Sequence, residues 1–92
     1  MKHITHWING KPYDGAVERW GPVYNPATGE QTRQVAMATP EQVDLAVQAA
    51  KDAFASWREM SLARRSKIMF SFRDLVEEHT EDLAKLLTEE HG

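Results

Sequence analysis

The sequence predicts an α/β chain in which two short β-hairpins are followed by about three amphipathic helices. Two turn sequences and one change of periodicity support this order. The dipeptide Asn9-Gly10 and the run of residues 25–30 (NPATGE) each lie between β-prone segments. From Thr39 onwards, apolar residues recur at the 3.6-residue spacing of a helix, and helix-start residues divide this part of the chain into three segments.

The first hairpin is centred on Asn9-Gly10, the dipeptide most typical of a two-residue type I′ turn. Residues 3–8 are β-prone and predict its incoming strand, and residues 11–13 predict a short return strand. Because Pro12 has no N–H group to donate to a ladder, we expect this return strand at the edge of a sheet.

The second hairpin joins predicted strands at residues 20–24 and 31–36. Pro26 holds φ near −65°, as the second position of a tight turn requires. Asn25 can bond the turn backbone through its side chain, and Gly29 can adopt the positive φ that lets the chain return.

The first helix has a strong start signature. Thr39 is a suitable N-cap, Pro40 fits the first helical position, and Gln42 is placed to close a capping box. The many alanines in its apolar stripe predict close approach to another element. The stripe consists of Val43, Leu45, Ala46, Val47, Ala50, Ala53, Phe54 and Trp57.

Two further helices follow, for which Ser61 and Thr80 are the predicted N-caps. Gly92 stands where a glycine would end the last helix. The side chains expected to face inward are Ile68, Met69, Phe72, Leu75 and Val76 on the second helix and Leu83, Ala84, Leu86 and Leu87 on the third.

Size and composition set limits on function. A chain of 92 residues forms at most one small domain, and its 41% hydrophobic and 27% charged residues are typical of a folded globular protein. The net charge of −3 argues against nucleic-acid binding. The absence of cysteine excludes disulfides, a thiolate nucleophile and cysteine-based zinc sites within these residues. No apolar run or targeting pattern is visible, so a cytoplasmic location is expected.

The predicted elements do not cover one another. Three helices with wide apolar faces present more surface than two short hairpins can bury, and isolated hairpins are marginal in water. A self-contained domain normally ends on an element that seals its core. We therefore expect these residues to be an incomplete domain, cut from something larger.

The four histidines do not predict a metal site. His3 and His6 are three residues apart in a predicted strand, so their side chains point to opposite faces. His79 and His91 lie near helix ends, where a cation is favoured by the dipole. Surface or capping roles are therefore preferred to metal binding.

The acidic and basic pairs have more ordinary explanations than catalysis. The adjacent pairs Glu77-Glu78 and Glu89-Glu90 diverge on a helix and are expected to be solvated. The pair at residues 64–65 (RR) could seat an anion at a helix start, but surface or ion-pair roles are preferred.

The aromatic residues could stack on a ring, but three of them fall at core spacing, which favours packing. These three are Phe54, Trp57 and Phe72. The sequence contains no glycine-rich phosphate loop and no catalytic motif. We therefore assign no catalytic, cofactor-binding or metal-binding residue within the 92 residues.

With these residues in view, the chain resembles the N-terminal fifth of an aldehyde dehydrogenase. Residues 8–11 (INGK) and 25–30 (NPATGE) resemble the opening hairpin and turn of that family, and the alanine-rich helix ending at residues 53–57 (AFASW) follows in the family order. The resemblance covers the whole chain. It implies the first part of an NAD-binding domain, with strands and turns in residues 1–36 and helices in residues 39–92.

Within that family, the details resemble the methylmalonate-semialdehyde dehydrogenase branch. The resemblance rests on residues 4–8 (ITHWI), 37–39 (MAT), 67–73 (KIMFSFR) and 89–92 (EEHG). It implies a homo-oligomeric enzyme that uses NAD and coenzyme A to convert malonate or methylmalonate semialdehyde to acetyl- or propionyl-CoA with loss of CO₂. The cysteine nucleophile and the cofactor loop of the family are expected downstream, so this piece itself is expected to be structural, inert and unable to bind cofactor. In some relatives backbone carbonyls near this turn hold a monovalent cation, to which Tyr24 could contribute, but none is expected here.

Two alternatives remain open. The chain could be a standalone interaction module that self-associates through exposed helix faces. It could also belong to a branch of the same family that transfers the acyl group to water instead of coenzyme A.

Overall fold

The computed structural model describes residues 2–92 and contains five strands followed by three helices. The elements are β1 (Lys2–Ile4), β2 (Trp7–Ile8), β3 (Lys11–Pro12), β4 (Arg19–Asn25), β5 (Glu30–Met37), α1 (Pro40–Glu59), α2 (Leu62–Glu78) and α3 (Thr80–His91). The predicted α/β class and the order of strands before helices are confirmed.

The first predicted strand is divided between two sheets. β1 pairs in parallel with β5, whereas β2 pairs with β3 in a separate two-stranded sheet. The prediction of one continuous strand over residues 3–8 was therefore wrong. Parallel strands are joined by a long connection and not by a tight turn. The sequence near β1 therefore contains no turn residues that would indicate its pairing with β5.

The first turn has the predicted type I′ backbone. Asn9 and Gly10 both have positive φ, at 56° and 76°. Trp7 pairs with Pro12, and Pro12 lies on an edge because the sheet has only two strands. The hairpin prediction is confirmed.

The second hairpin provides two of the three strands of the larger sheet. β4 and β5 form an antiparallel pair and extend slightly beyond the predicted residues 20–24 and 31–36. In the turn, Asn25 Oδ1 accepts a hydrogen bond of 3.0 Å from the Ala27 N–H, and Gly29 has a φ of 76°. Both turn predictions are confirmed.

α1 begins with the predicted capping box. The Gln42 N–H donates to Thr39 Oγ1 at 3.2 Å, and the Thr39 N–H donates to Gln42 Oε1 at 3.0 Å. Ser61 caps α2 as predicted, since its Oγ accepts from the Arg64 N–H at 3.2 Å.

The predicted N-cap of the third helix was wrong. α2 and α3 are separated only by His79, which ends one helix and begins the next. Thr80 is already the first helical residue, and its hydroxyl donates backwards to the carbonyls of Val76 and Glu77. Because one residue provides the whole connection, no extended residue is left to act as a side-chain cap. Gly92 ends α3 with a positive φ, as predicted.

The fold has almost no interior. Among the described residues, only Ala36 and Gln42 are buried, at 6% and 7% exposure. The accessible surface of 7650 Å² exceeds by roughly 2,200 Å² the area of about 5,400 Å² expected for a compact protein of this mass. The radius of gyration is 16.8 Å, against about 12 Å for a compact chain of this length. The helical faces expected to point inward are exposed, which confirms that the strands cannot cover them.

Candidate functional site

The most prominent surface of the molecule is formed by the apolar sides of the three helices. No two helices within residues 2–92 pack extensively against each other, and the main helix–strand contacts are those of α1 with β2 and of α3 with β4. The exposed side chains include Val43, Leu45, Val47 and Phe54 on α1, Ile68, Met69, Phe72 and Leu75 on α2, and Leu83, Leu86 and Leu87 on α3. Exposed apolar helix faces of this extent mark places where other polypeptide binds.

The aromatic residues predicted to pack in a core lie on this surface. Phe54 is 56% exposed and Phe72 is 60% exposed, whereas Trp57 is half-buried. Their spacing along the helices is that of a core face, but Phe54 and Phe72 remain exposed in the described part of the chain. The packing prediction is therefore wrong for Phe54 and Phe72 within residues 2–92.

Gln42 connects three segments at the start of α1. Its Nε2 donates to the carbonyl of Ala16 at 2.9 Å, and its Oε1 lies 3.0 Å from the Thr39 nitrogen and 3.3 Å from His6 Nε2. The sequence indicated the capping role only. The other two contacts depend on the path of residues 5–18, for which no local pattern exists.

Arg33 joins the sheet to the end of α3. Its two terminal nitrogens contact Glu89 and Glu90, with the Glu90 oxygen at 2.9 Å, and its side chain is only 13% exposed. The expectation that Glu89 and Glu90 diverge into solvent is therefore wrong, because a cation from β5 lies between them. Arg33 is 56 residues away in sequence from Glu89, and helix geometry alone could not reveal it.

A cleft of about 560 Å³ separates the first hairpin from α1. Lys11 and Asp14 line it on one side and Gln48 and Asp52 on the other. Gln48 donates to Asp52 at 2.8 Å. The cleft offers polar groups at its rim but no pair of groups arranged as nucleophile and base.

The histidines are distributed over the molecule. The His3 ring lies 4.4 Å from Trp20, His6 contacts Gln42, and His79 Nδ1 is 3.8 Å from Asp82 Oδ2. His91 is in the last turn of α3. No group of three potential metal ligands occurs within residues 2–92.

Among the remaining candidates, Arg64 and Glu77 take part in helix ends through their backbone groups. The Arg64 backbone N–H bonds the capping Ser61, and Arg65 Nε is buried without a hydrogen-bond partner among residues 2–92. The Glu77 carbonyl accepts from Thr80 and from the His79 N–H. None of the described helices combines the length and apolar character that a membrane crossing requires.

The chain thus carries two hairpins followed by three helices whose apolar sides are uncovered. Residues 13–92 match the profile of the aldehyde dehydrogenase family, and the chain belongs to this family.

Within this family, the chain is similar to enzymes whose names specify a semialdehyde. The chain is 44% identical over its full length to a malonate-semialdehyde dehydrogenase from Lacticaseibacillus casei and 39% identical to malonate-semialdehyde dehydrogenase 2 from Oceanobacillus iheyensis. It spans 19% of the length of each.

Two solved structures share the same fold over the whole chain. A methylmalonate-semialdehyde dehydrogenase from Oceanimonas doudoroffii matches with a TM-score of 0.95 at 39% identity. A candidate methylmalonate-semialdehyde dehydrogenase from Sinorhizobium meliloti 1021, in complex with NAD, matches with a TM-score of 0.94 at 35% identity. The chain covers 19% of each of these proteins, in their N-terminal part. The resemblance drawn from the INGK and NPATGE segments is confirmed.

Proposed function

We propose that these 92 residues are a structural part of an NAD-dependent, CoA-acylating dehydrogenase of malonate or methylmalonate semialdehyde. The observation that supports this most strongly is the match of the whole chain, at a TM-score of 0.95, to the N-terminal part of a methylmalonate-semialdehyde dehydrogenase. In this proposal the reaction converts the semialdehyde to acetyl- or propionyl-CoA with loss of CO₂. The enzyme is a cytoplasmic homo-oligomer without nucleic-acid or membrane partners.

The described residues contain none of the glycine-rich helix starts that hold a dinucleotide. The turn at residues 25–30 leads into an antiparallel strand, not into the start of a helix, so it does not form a dinucleotide phosphate loop. The helix starts at Thr39, Ser61 and His79 have no glycine-rich loop before them. The chain has no cysteine to serve as nucleophile. We therefore assign no step of the reaction to these residues.

The role of the chain in this proposal is to present packing surface. The capping contacts orient α1, and the contact of Arg33 with Glu89 and Glu90 holds the end of α3 against the sheet. The exposed apolar sides of the helices are then available to further polypeptide of the same enzyme. The whole chain exposes about 2,200 Å² more than a compact protein of its mass, an excess in the size range of extensive, permanent interfaces.

The test is an assay of the complete reading frame that contains these residues. The purified product is given NAD and methylmalonate semialdehyde, with and without coenzyme A, and both NADH and acyl-CoA are measured. We expect NADH formation that depends on coenzyme A and equals the acyl-CoA released. Equal turnover without coenzyme A would contradict the acylating step, and no NADH formation would contradict the dehydrogenase itself.

A second candidate function is a standalone self-associating module, favoured by the same uncovered faces. A reading frame that ends at Gly92, together with a stable oligomer of the 92-residue product, would support this alternative.

A further inference from the structure

The chain contains two asparagines, and each lies in a hairpin turn. Asn9 is followed by Gly10, and Asn25 is followed by Pro26. The side-chain amide of an asparagine can react with the backbone nitrogen of the next residue. The identity and the surroundings of that next residue therefore decide whether the reaction occurs, and the two turns of this chain differ in both respects.

At the first turn, both reacting groups are free. Asn9 and Gly10 are exposed, and within residues 2–92 neither the Asn9 side chain nor the Gly10 N–H makes a hydrogen bond. A Cβ atom placed on Gly10 would meet no atom within 4 Å apart from those of the adjoining residues. Because glycine also has no side chain of its own, nothing hinders the closing of a ring at its nitrogen.

At the second turn, the same reaction is blocked. The nitrogen of Pro26 carries no hydrogen, so it cannot lose a proton to become a nucleophile. The side-chain oxygen of Asn25 accepts a hydrogen bond of 3.0 Å from the Ala27 N–H, which holds this side chain against the turn backbone. Asn25 is therefore expected to keep its amide.

The first hairpin has few contacts that resist a local change of backbone conformation. β2 and β3 have two residues each and form a sheet of only two strands. One further bond of 2.8 Å, from the Tyr13 N–H to the His6 carbonyl, extends the pairing. Hairpins of this size are marginal in water, and such segments open locally while the rest of a protein stays folded. An opening of this kind lets the Asn9 side chain turn towards the Gly10 nitrogen.

We propose that Asn9 is a site of spontaneous deamidation, which converts the first turn to isoaspartate. The Gly10 nitrogen loses its proton and attacks Asn9 Cγ, so that a new carbon–nitrogen bond forms. The side-chain amide nitrogen takes up the proton and leaves as ammonia. Water then opens the cyclic imide at either carbonyl carbon, which gives aspartate or isoaspartate at position 9. The net change is the gain of water and the loss of ammonia, without oxidation or reduction.

Isoaspartate would change the hairpin more than aspartate. Its main chain runs through the side-chain carbon and gains an atom, so the turn no longer fits the pairing of Ile8 with Lys11. Aspartate fits, since Asp-Gly is a preferred dipeptide of type I′ turns. Asn9 also lines the cleft between the first hairpin and α1, where a new carboxylate would face Asp52. We therefore expect isoaspartate to loosen the hairpin from α1, whatever reaction the enzyme catalyses.

Peptide mapping by mass spectrometry tests the site in the product of the full reading frame that contains these residues. The purified protein is incubated at neutral pH beside a synthetic peptide of residues 5–13, which shows the reaction without the fold. We expect the amide-to-acid mass change at Asn9 and none at Asn25. The change at position 9 should be lost in Asn9→Gln, whose longer side chain closes this ring poorly.

Two results of the mapping would overturn the proposal. One is a protein that keeps its Asn9 amide until the peptide is fully converted. The other is equal conversion at Asn9 and Asn25, which would mean that neither the following residue nor the turn decides the reaction.

An isoaspartate-specific methyltransferase with labelled S-adenosylmethionine distinguishes the two products, because it methylates isoaspartate and not aspartate. Asp14-Gly15 can form isoaspartate as well, although without a change of mass, so fragment spectra must locate the label. We expect the label at position 9. A label confined to Asp14 would overturn the conversion of the first turn to isoaspartate.

Hydrogen exchange tests the structural consequence. Exchange in residues 7–12 should be faster in the incubated protein than in the fresh one, and exchange in α2 should be unchanged. Fresh Asn9→Asp is the matched control, since it carries the same new charge on an ordinary backbone and should exchange like the unmodified protein. Unchanged exchange in protein that carries isoaspartate at position 9 would contradict the loosening of the hairpin.

Discussion

Gln42 illustrates how one side chain organises the start of the helical region. It is 7% exposed, and it bonds the backbone of Ala16 and Thr39 and approaches His6. The capping part was predictable because both partners lie within one helical turn. The contacts with Ala16 and His6 were not predictable, because they require the fold of two distant segments.

Replacing Gln42 should therefore cost more than replacing an exposed glutamine. Gln42→Ala removes a buried side chain together with its hydrogen bonds to Ala16 and Thr39, and we expect the free energy of unfolding to fall by about 1–3 kcal/mol. Gln48→Ala, on the exposed side of the same helix, should change it by less than about 0.5 kcal/mol. Urea unfolding followed by circular dichroism measures both. Equal losses in the two variants would contradict the organising role of Gln42.

The two turn sequences were predictable in detail because their chemistry is local. Positive φ at Asn9, Gly10 and Gly29 follows from residues that tolerate this region of backbone conformation. Thr80 was not predictable in the same way. Its residue type suits a cap, but the absence of a connecting segment between α2 and α3 makes it the first residue of a helix.

At the scale of elements, the two threonines provide a direct comparison. Thr39→Ala removes the hydroxyl that accepts from the Gln42 N–H and should lower the free energy of unfolding by about 1 kcal/mol. Thr80→Ala removes only a hydroxyl that donates back to helix carbonyls, and its cost should be less than half as large. The measurement is thermal or urea unfolding of the two variants. A larger loss from Thr80→Ala would mean that Thr80 acts as a cap after all.

Arg33 adds ion pairs between α3 and the sheet to the packing of α3 against β4. We expect Arg33→Gln to loosen the last turns of α3, because the carboxylates of Glu89 and Glu90 lose their shared cation. Hydrogen exchange should accelerate in residues 86–91 and stay unchanged in α1. The cost in global stability should be about 1 kcal/mol, since both carboxylates remain partly solvated.

Arg19→Gln, on the exposed edge strand β4, is the matched control for Arg33→Gln. Unchanged exchange in α3 after loss of Arg33 would contradict the attachment. The sequence could not predict this contact or the pairing of β1 with β5, because both join segments that are far apart along the chain.

At the scale of the molecule, the most informative prediction was that the three helices present more apolar surface than the two hairpins can bury. The apolar stripes have the spacing of core faces, and the structure leaves them exposed. Because residues 2–92 contain no cofactor loop, we expect the 92-residue chain to show no measurable binding of NAD. Isothermal titration calorimetry checks this, with a complete dehydrogenase of the same family as positive control. Saturable binding to the 92-residue chain would contradict the assignment of a purely structural role.

The central claim is that these helical faces are made to be covered by polypeptide outside residues 2–92. Small-angle X-ray scattering of the purified chain over a dilution series tests it most directly. We expect either an assembly heavier than one chain or, on dilution, a monomer with a radius of gyration of at least the 16.8 Å of the structure. A compact monomer with a radius near 12 Å would mean that the chain seals its own core, and would contradict the claim.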